Sequence, residues 1–473
     1  MSESNNSIEK AGGGLSEEIL RGPIAPTSIK LAVPVIIGQL MLLGYGITNT
    51  VFISMIDKSS TALMTGIGLV FPIHMCFLAM SLGLFTGMSS IVARGIGEKN
   101  KQVTDRAAGS GIWLAIGLAL LSIAVIYLFS DNILPFLSGS QMSEEALNNG
   151  LTYLHWILPG LGMMLVFQTL LGVLQGEGLS KYYGMAMLLS TVVNIILDPI
   201  FIFGLNMGVA GAALATTISI TVSLLFVINL FRSKKSSLPV NWKARHVERS
   251  VVGKIAYIGL PQTLSMISLS VASAVINNLM GSISEHAMNS WIIVGRIDEL
   301  LLLAGYGFGS AALTQIGQNY GSGNMSRVLS IFKTNVLLSL ALCIVLVLIY
   351  NGLAPFIFSM LTGVSDVVEG AVRQVRIVSF SYLGVVAAIV VTSSFQATGR
   401  AMPGLILDIL RMGLLTIPVS YMLFYWYDAG ATGIFYAMAA INLVMMVFAL
   451  GWCYLYLNKL KQSTGLTEAM AFK

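Results

Sequence analysis

Twelve long apolar stretches, each closed by a short polar or charged interval, set the pattern of this chain. They cover about 29–54, 61–93, 106–129, 149–175, 181–203 and 208–231, then about 252–280, 288–317, 330–350, 374–397, 402–426 and 431–457. A helix of about 20 apolar residues crosses the hydrocarbon core of a bilayer. Each stretch therefore predicts one transmembrane helix, and the longest predict tilt or extension beyond the bilayer.

Composition removes the main alternative, one very large soluble core. Hydrophobic residues make up 56% of the 473 and charged residues 10%, with a mean hydropathy of +0.83. A soluble domain carries about 25% charged residues, so too few charges are present to cover a water-facing surface. The expected fold class is an all-α integral membrane protein. Cys76, Cys343 and Cys453 all fall in apolar runs, which argues against a disulfide-stapled ectodomain.

Charge orients the spans. The isoelectric point near 9.0 is no sign of a nucleic-acid partner, because the basic residues sit in loops between spans. Twelve spans put both termini on one side, and Lys and Arg choose the cytoplasm. Arg94, Lys101, Lys181, Arg327, Arg400 and Lys459 lie on that side, with Lys234, Lys235, Lys243 and Arg245 in the central connection. Lys58, Arg373 and Arg376 are the main basic residues opposite. The start of the chain carries Glu3, Glu9, Glu17 and Glu18 and lacks the basic, apolar and small-residue pattern of a signal peptide. The expected organisation is a cytoplasmic tail (1–28), a first lobe of helices 1–6 (29–231), a basic linker (232–251), a second lobe of helices 7–12 (252–457) and a cytoplasmic tail (458–473).

The two lobes carry matches at a nearly fixed offset. Gly83, Gly97 and Asn100 correspond to Gly307, Gly321 and Asn324, each 224 positions later. Gln175 and Gly178 correspond to Gln396 and Gly399, 221 later, and Gly208 and Gly211 to Gly430 and Gly433, 222 later. Pro34 and Pro261 occupy equivalent points. Six spans per lobe insert both in the same orientation, so a pseudo-two-fold axis along the membrane normal is expected, a plan common among secondary transporters. The chain has no Walker glycine-lysine-serine/threonine loop, so uphill transport would draw on an ion gradient or a partner.

Ionisable residues inside spans are costly and are functional candidates by default. Here they are Asp198, Arg296, Asp298, Glu299, Asp408 and Arg411, with His74 and His155 as lesser ones. Asn194 and Asp198 share one helix face and offer oxygens to Na⁺, or an acid for H⁺; the alternative is a cap at the helix end. Pro199 frees a carbonyl one turn earlier. Arg296 and Glu299 are spaced for an internal ion pair that would leave Asp298 for an ion or a cationic solute; a purely structural bridge is the alternative. Asp408 and Arg411 look self-satisfied, and His74 holds the repeat position of Asp298.

At these residues the chain resembles the multidrug and toxic compound extrusion (MATE) transporters. The likeness runs from about residue 25 to 460. It rests on Gly87-Met-Ser-Ser-Ile-Val-Ala-Arg-Gly-Ile-Gly97, Gln175-Gly-Glu-Gly178, Asn194-Ile-Ile-Leu-Asp-Pro-Ile-Phe-Ile-Phe-Gly204, Arg296-Ile-Asp-Glu299 and Phe395-Gln-Ala-Thr-Gly-Arg400. The resemblance implies two six-helix lobes exporting organic, often cationic, compounds against inward H⁺ or Na⁺. It also implies a cation site in the first lobe, with an acid on helix 1, Asn and Asp on helix 5 and Thr on helix 6. Asn194, Asp198 and Thr216 match, but Asn49 stands where the helix-1 acid is expected. Asp198 is then the one titrating charge, with Asn49, Asn194 and Thr216 as neutral ligands of H⁺ chemistry or Na⁺. Asp298, Glu299, Arg296, Gln262 and His74 are the candidates for a substrate or second-lobe polar site. Helices 7 and 10 show Gln262, Ser265, Thr392 and Ser393 where another branch of the family carries acids.

The expected function is antiport-driven multidrug efflux by a monomer in a cell membrane, in bacteria the inner one, with small organic substrates and no cofactor. A flippase for a lipid-linked molecule is the alternative; Arg296 and Arg411 alone are few for a large anionic head group. A channel would need a continuous polar pore, and the absence of HExxH and GxSxG motifs speaks against an enzyme.

Overall fold

A computed structural model describes residues 16–56, 62–138, 143–238, 247–427 and 429–471. Glu3, Glu9, Lys58, Lys243 and Arg245 lie outside the described residues. Twelve helices among those described are long and apolar enough to cross a membrane. They are α1 (Ile24–Ile53), α2 (Ala62–Gly97), α3 (Lys101–Leu137), α4 (Glu144–Glu177), α5 (Ser180–Gly204) and α6 (Gly208–Arg232), then α7 (Arg249–Ile283), α8 (Glu285–Gly321), α9 (Met325–Leu361), α10 (Ser365–Ala397), α11 (Met402–Tyr427) and α12 (Gly430–Ser463). The chain is an all-α, multi-pass membrane protein. Several helices outrun their apolar stretches because a polar first turn, such as Lys101 to Arg106 on α3, continues the backbone hydrogen bonding beyond the apolar segment. The last helix likewise runs on to Ala471.

Several of the residues that repeat between the lobes turn out to be helix ends, while Gly83, Gly307, Pro34 and Pro261 lie inside helices. Asn100 and Asn324 accept from the N–H groups of Val103 and Arg327, each at 3.2 Å, capping α3 and α9. Gly178 and Gly399 close α4 and α10 at φ +88° and +83°, donating to Gln175 and Gln396 carbonyls at 2.9 Å in both cases. That left-handed conformation is one that a Cβ disfavours. Gly208 and Gly430 open α6 and α12 at φ +53° and +57°.

The chain divides into two compact units. One holds residues 37–96 and 100–263; the other holds residues 17–36, 97–99 and 264–473. α1 and α7 therefore each contribute residues to both units, α1 dividing after Ile36 and α7 after Thr263. In the first unit the early part of α7 crosses α2 so closely that a Cβ on Gly259 would lie 2.7 Å from the Gly83 carbonyl. Small residues permit such approach between membrane helices. In the second unit the early part of α1 is tied to α8 and α9 through Ser28, whose hydroxyl donates to Gln315 Oε1 at 3.0 Å; Asn335 donates to the same oxygen at 3.3 Å. Arg327 caps residues 16–22 by donating to the Ile19 carbonyl at 3.3 Å and to the Gly22 carbonyl.

The described ends of the central connection are fixed on the first unit. Glu177, buried at the end of α4, accepts from Ser236 Oγ at 2.6 Å, Ser237 N at 2.9 Å, Ser237 Oγ at 2.6 Å and Leu238 N at 3.2 Å. At the other end, Arg106 of α3 meets Glu248 at 2.8 Å, and the Glu248 N–H donates to Ser110 at 3.1 Å.

Candidate functional site

Asp198 lies on α5 with Asn194 one turn earlier, and both are buried, Asp198 at 0% exposure. The Asn194 carboxamide satisfies two neighbours when its nitrogen donates to Asp198 Oδ2 at 2.9 Å and its oxygen accepts from the Thr216 N–H at 3.3 Å. Thr216, on α6, spends its own hydroxyl proton on the Ala212 carbonyl at 3.1 Å. Tyr45 of α1, 3.0 Å from the Thr216 oxygen, is therefore the donor in that contact. Tyr153 of α4 is buried beside Asp198, Tyr45 and Asn49. The Asn49 Oδ1 is buried with no hydrogen-bond partner among the described residues.

Four helices of the first unit thus converge on one carboxylate. Pro199 follows it and lacks the N–H that would hold the Ile195 carbonyl. The helix continues as a π-helical turn over Ile200–Gly204, closed by the Leu205 N–H on the Ile200 carbonyl at 2.8 Å. Among the described residues Asp198 has no ion-pair partner, and its polar neighbours are amides and hydroxyls. Neutral oxygens around a single carboxylate can hold Na⁺, whose preferred ligands are oxygens, or leave the acid to carry a proton.

In the second unit Asp298 is 5% exposed on α8 and accepts from the Tyr382 hydroxyl of α10 at 2.7 Å. Tyr350 of α9 is its other neighbour. Arg296 and Glu299, spaced for an ion pair, are both exposed and form no contact with each other; Glu299 feels Arg296 only at longer range. Gln262 and His74 are half-buried and belong to the first unit, apart from the neighbours of Asp298.

Asp408 and Arg411 do meet, at 3.6 Å. Ser265 of α7 donates to Asp408 Oδ2, and Arg411 donates to Asn442 Oδ1 of α12 at 3.3 Å. Asn442 in turn donates to Ser381 at 3.1 Å. Arg411 sits in a second π-helical segment, Ile409–Thr416. This acid is neutralised by its own helix.

Tyr45, Tyr153, Tyr350 and Tyr382 are the site residues that sequence reasoning passed over. Tyr45 had a signal: it stands four before Asn49 and shares its helix face. The other three are single tyrosines in apolar helices, and only the packing brings them to an acid.

The family model MatE matches residues 34–200 and 261–422, the greater part of both halves. The multidrug export protein MepA of Staphylococcus aureus (strain MSSA476) is 26% identical over 444 residues, covering 94% of this chain and 96% of that protein. MepA of Staphylococcus haemolyticus (strain JCSC1435) is 27% identical over 432 residues, 91% and 93% of the two chains. Among solved structures, an outward-facing conformation of a multidrug resistance MATE family transporter of the MOP superfamily superposes with a TM-score of 0.89 at 23% identity, over 94% of this chain and 98% of the other. A MOP superfamily transporter from Pyrococcus furiosus Vc1 (DSM3638) gives 0.88 at 24% identity over the same shares. Those two establish a common fold. With the family model matched across both halves, the chain belongs to the MatE family of membrane transporters.

Proposed function

We propose that the chain is a secondary active multidrug exporter. It moves organic, cationic or amphipathic compounds out of the cell in exchange for inward H⁺ or Na⁺, by alternating access, with Asp198 as the coupling group. Membership of the family and the MepA relatives support the export task. The observation that carries the coupling is the Asp198 carboxylate, fully buried among neutral Tyr45, Asn49, Tyr153, Asn194 and Thr216. An isolated negative charge in apolar surroundings is costly, so a sealed site requires a cation.

Antiport follows from that requirement. The lobe closes over Asp198 when a coupling ion or a cationic substrate has neutralised it, and the empty, charged state is the one that stays open to water. Each passage across the membrane then carries one kind of cation or the other. In this scheme Asn49 contributes its unpartnered oxygen to Na⁺ and adds no second charge. The Tyr45 hydroxyl fixes the Thr216 oxygen, and Asn194 orients the carboxylate. The protein works as a monomer in the cell membrane with both termini in the cytoplasm, and it requires no cofactor.

The test is Asp198→Asn in proteoliposomes, with ethidium efflux followed under an imposed pH gradient and then under a Na⁺ gradient. Loss of gradient-driven efflux with retained folding is the expected result. Coupled efflux at the native rate would remove Asp198 from the mechanism.

A further inference from the structure

Asp298 is a buried acid to which the coupling scheme gives no task. We propose that Asp298, Tyr350 and Tyr382 form a second proton-binding centre, within the second unit, in which Asp298 takes the proton. The proposal deepens the antiport reading and rests on it only for the use to which the bound proton is put.

The surroundings of Asp298 are apolar on its own helix and beyond. Val294 and Leu301, a turn before and after it, are buried with Ala304, Val347 and Val386 in one cluster. No cation forms an ion pair with it among the described residues. Arg296 and Glu299 of the same helix are exposed. From α9 the groups on this side are Tyr350 and the Cys343 thiol, from α10 Tyr382, and from α12 the neutral Asn442 amide, held by Arg411 and Ser381. Arg411 of α11 acts on Tyr382 and is engaged with Asp408. It neutralises one acid, and Asp298 is not that acid.

The hydroxyls fit a proton better than a metal ion. Tyr382 donates to Asp298 Oδ2 at 2.7 Å, and Tyr350, 5% exposed, has its buried hydroxyl beside the same carboxylate and engages no other polar group among the described residues. Two phenolic oxygens and one carboxylate are too few ligands for Na⁺ in a dry core. A hydroxyl is both donor and acceptor. When Asp298 is charged, Tyr350 turns its proton toward it. When hydronium delivers a proton, the new carboxylic O–H donates to the Tyr350 oxygen and water leaves; only an O–H bond forms or breaks.

The centre is also placed to report its state. Tyr382 directly follows the tight turn Ser379–Ser381 that interrupts α10. Ser379 accepts from Asn351 of α9 at 2.7 Å, and Ser381 accepts from Asn442 of α12. A change in the Asp298–Tyr382 contact therefore pulls on a turn held by two other helices.

Infrared difference spectra between acidic and alkaline pH, recorded on the full protein in lipid, read the protonated carboxyl C=O band directly. Asp298→Asn is expected to remove one band and Asp198→Asn a different one. Tyr350→Phe keeps the acid but is expected to shift the Asp298 band to higher frequency, because its hydrogen bond is lost. If every band survives Asp298→Asn, the acid exchanges no proton and the proposal is wrong. If that variant does not fold, Tyr350→Phe and Tyr382→Phe decide: an unshifted spectrum in both overturns it. Loss of the Asp198 band alone would leave the coupling role of Asp198 standing and remove this centre, and the converse pattern does the reverse.

Discussion

The Glu177 carboxylate and the Ser237 hydroxyl lie 2.6 Å apart, where the end of α4 meets the start of the central connection. Four donors from three consecutive residues converge on this one side chain, two of them backbone N–H groups. Hydrogen bonds to a charged acceptor contribute about 1.5–3 kcal/mol each, and less when shared. Glu177→Gln keeps the shape but turns one acceptor oxygen into an NH₂ facing donors. The expected outcome is a destabilisation of roughly 2 kcal/mol and faster trypsin cleavage after Lys234 and Lys235, which are exposed beside the clamp. Cleavage rates on the folded protein in detergent check this.

The opposite end of the connection responds to acid. Arg106, with help from the Ser250 hydroxyl, holds the Glu248 carboxyl below its ordinary value of 4.5. The folded form therefore binds its proton less readily than the unfolded chain. The contact adds stability above the ordinary carboxylate range and loses it as pH falls through the lower, folded value. Hydrogen exchange at Val251 and Val252, whose N–H groups donate to the Glu248 carbonyl at 3.0 Å, is expected to accelerate on acidification beyond the intrinsic pH effect. In Arg106→Gln the acceleration should be absent.

The crossing of α2 and α7 predicts a steric effect. A side chain on Gly259 has no space before the Gly83 carbonyl, so Gly259→Val forces the helices apart and destabilises by about 1–3 kcal/mol. Gly253→Ala, on the same helix with open space around its Cβ position, should be neutral or stabilising by up to about 1 kcal/mol. Thermal unfolding of the two variants in the same detergent separates packing from helix propensity.

Asn49 predicts a gain. Asn49→Asp adds a carboxylate beside Tyr153 in the site of Asp198, and two like charges strengthen the pull on a shared cation. Half-maximal activation by the coupling ion should shift to lower concentration, on the order of tenfold for one added charge screened as at a partly buried site. Efflux measured across a titration of Na⁺ at fixed pH, and of pH without Na⁺, tests it and identifies the ion that responds.

Much of this was legible from residue types alone. The twelve spans follow from apolar length, and the pairing of Asn194 with Asp198 follows from a spacing of four on a helix. Asp408 and Arg411 follow from a spacing of three, although Ser265 and Asn442, which complete their bonding, come from other helices. Spacing failed for Arg296 and Glu299, because it allows a bridge but cannot say whether the surrounding face draws two long side chains together. Tyr153, Tyr350 and Tyr382 were invisible for a different reason. A tyrosine in an apolar run is equally at home at a membrane interface or in a core, and only helix–helix packing aims its hydroxyl.

The helix ends at Asn100 and Asn324, Gly178 and Gly399, and Gly208 and Gly430 have a bearing on ancestry. The two halves share this punctuation, as a duplicated six-helix segment would. The acids were not kept: by the same offsets Asp198 faces Ser420 in the later copy, and Asp298 faces His74 in the earlier one. Frame and charge therefore answer to separate constraints within this chain: the same turns serve both halves, while each half carries its own buried acid on a different helix.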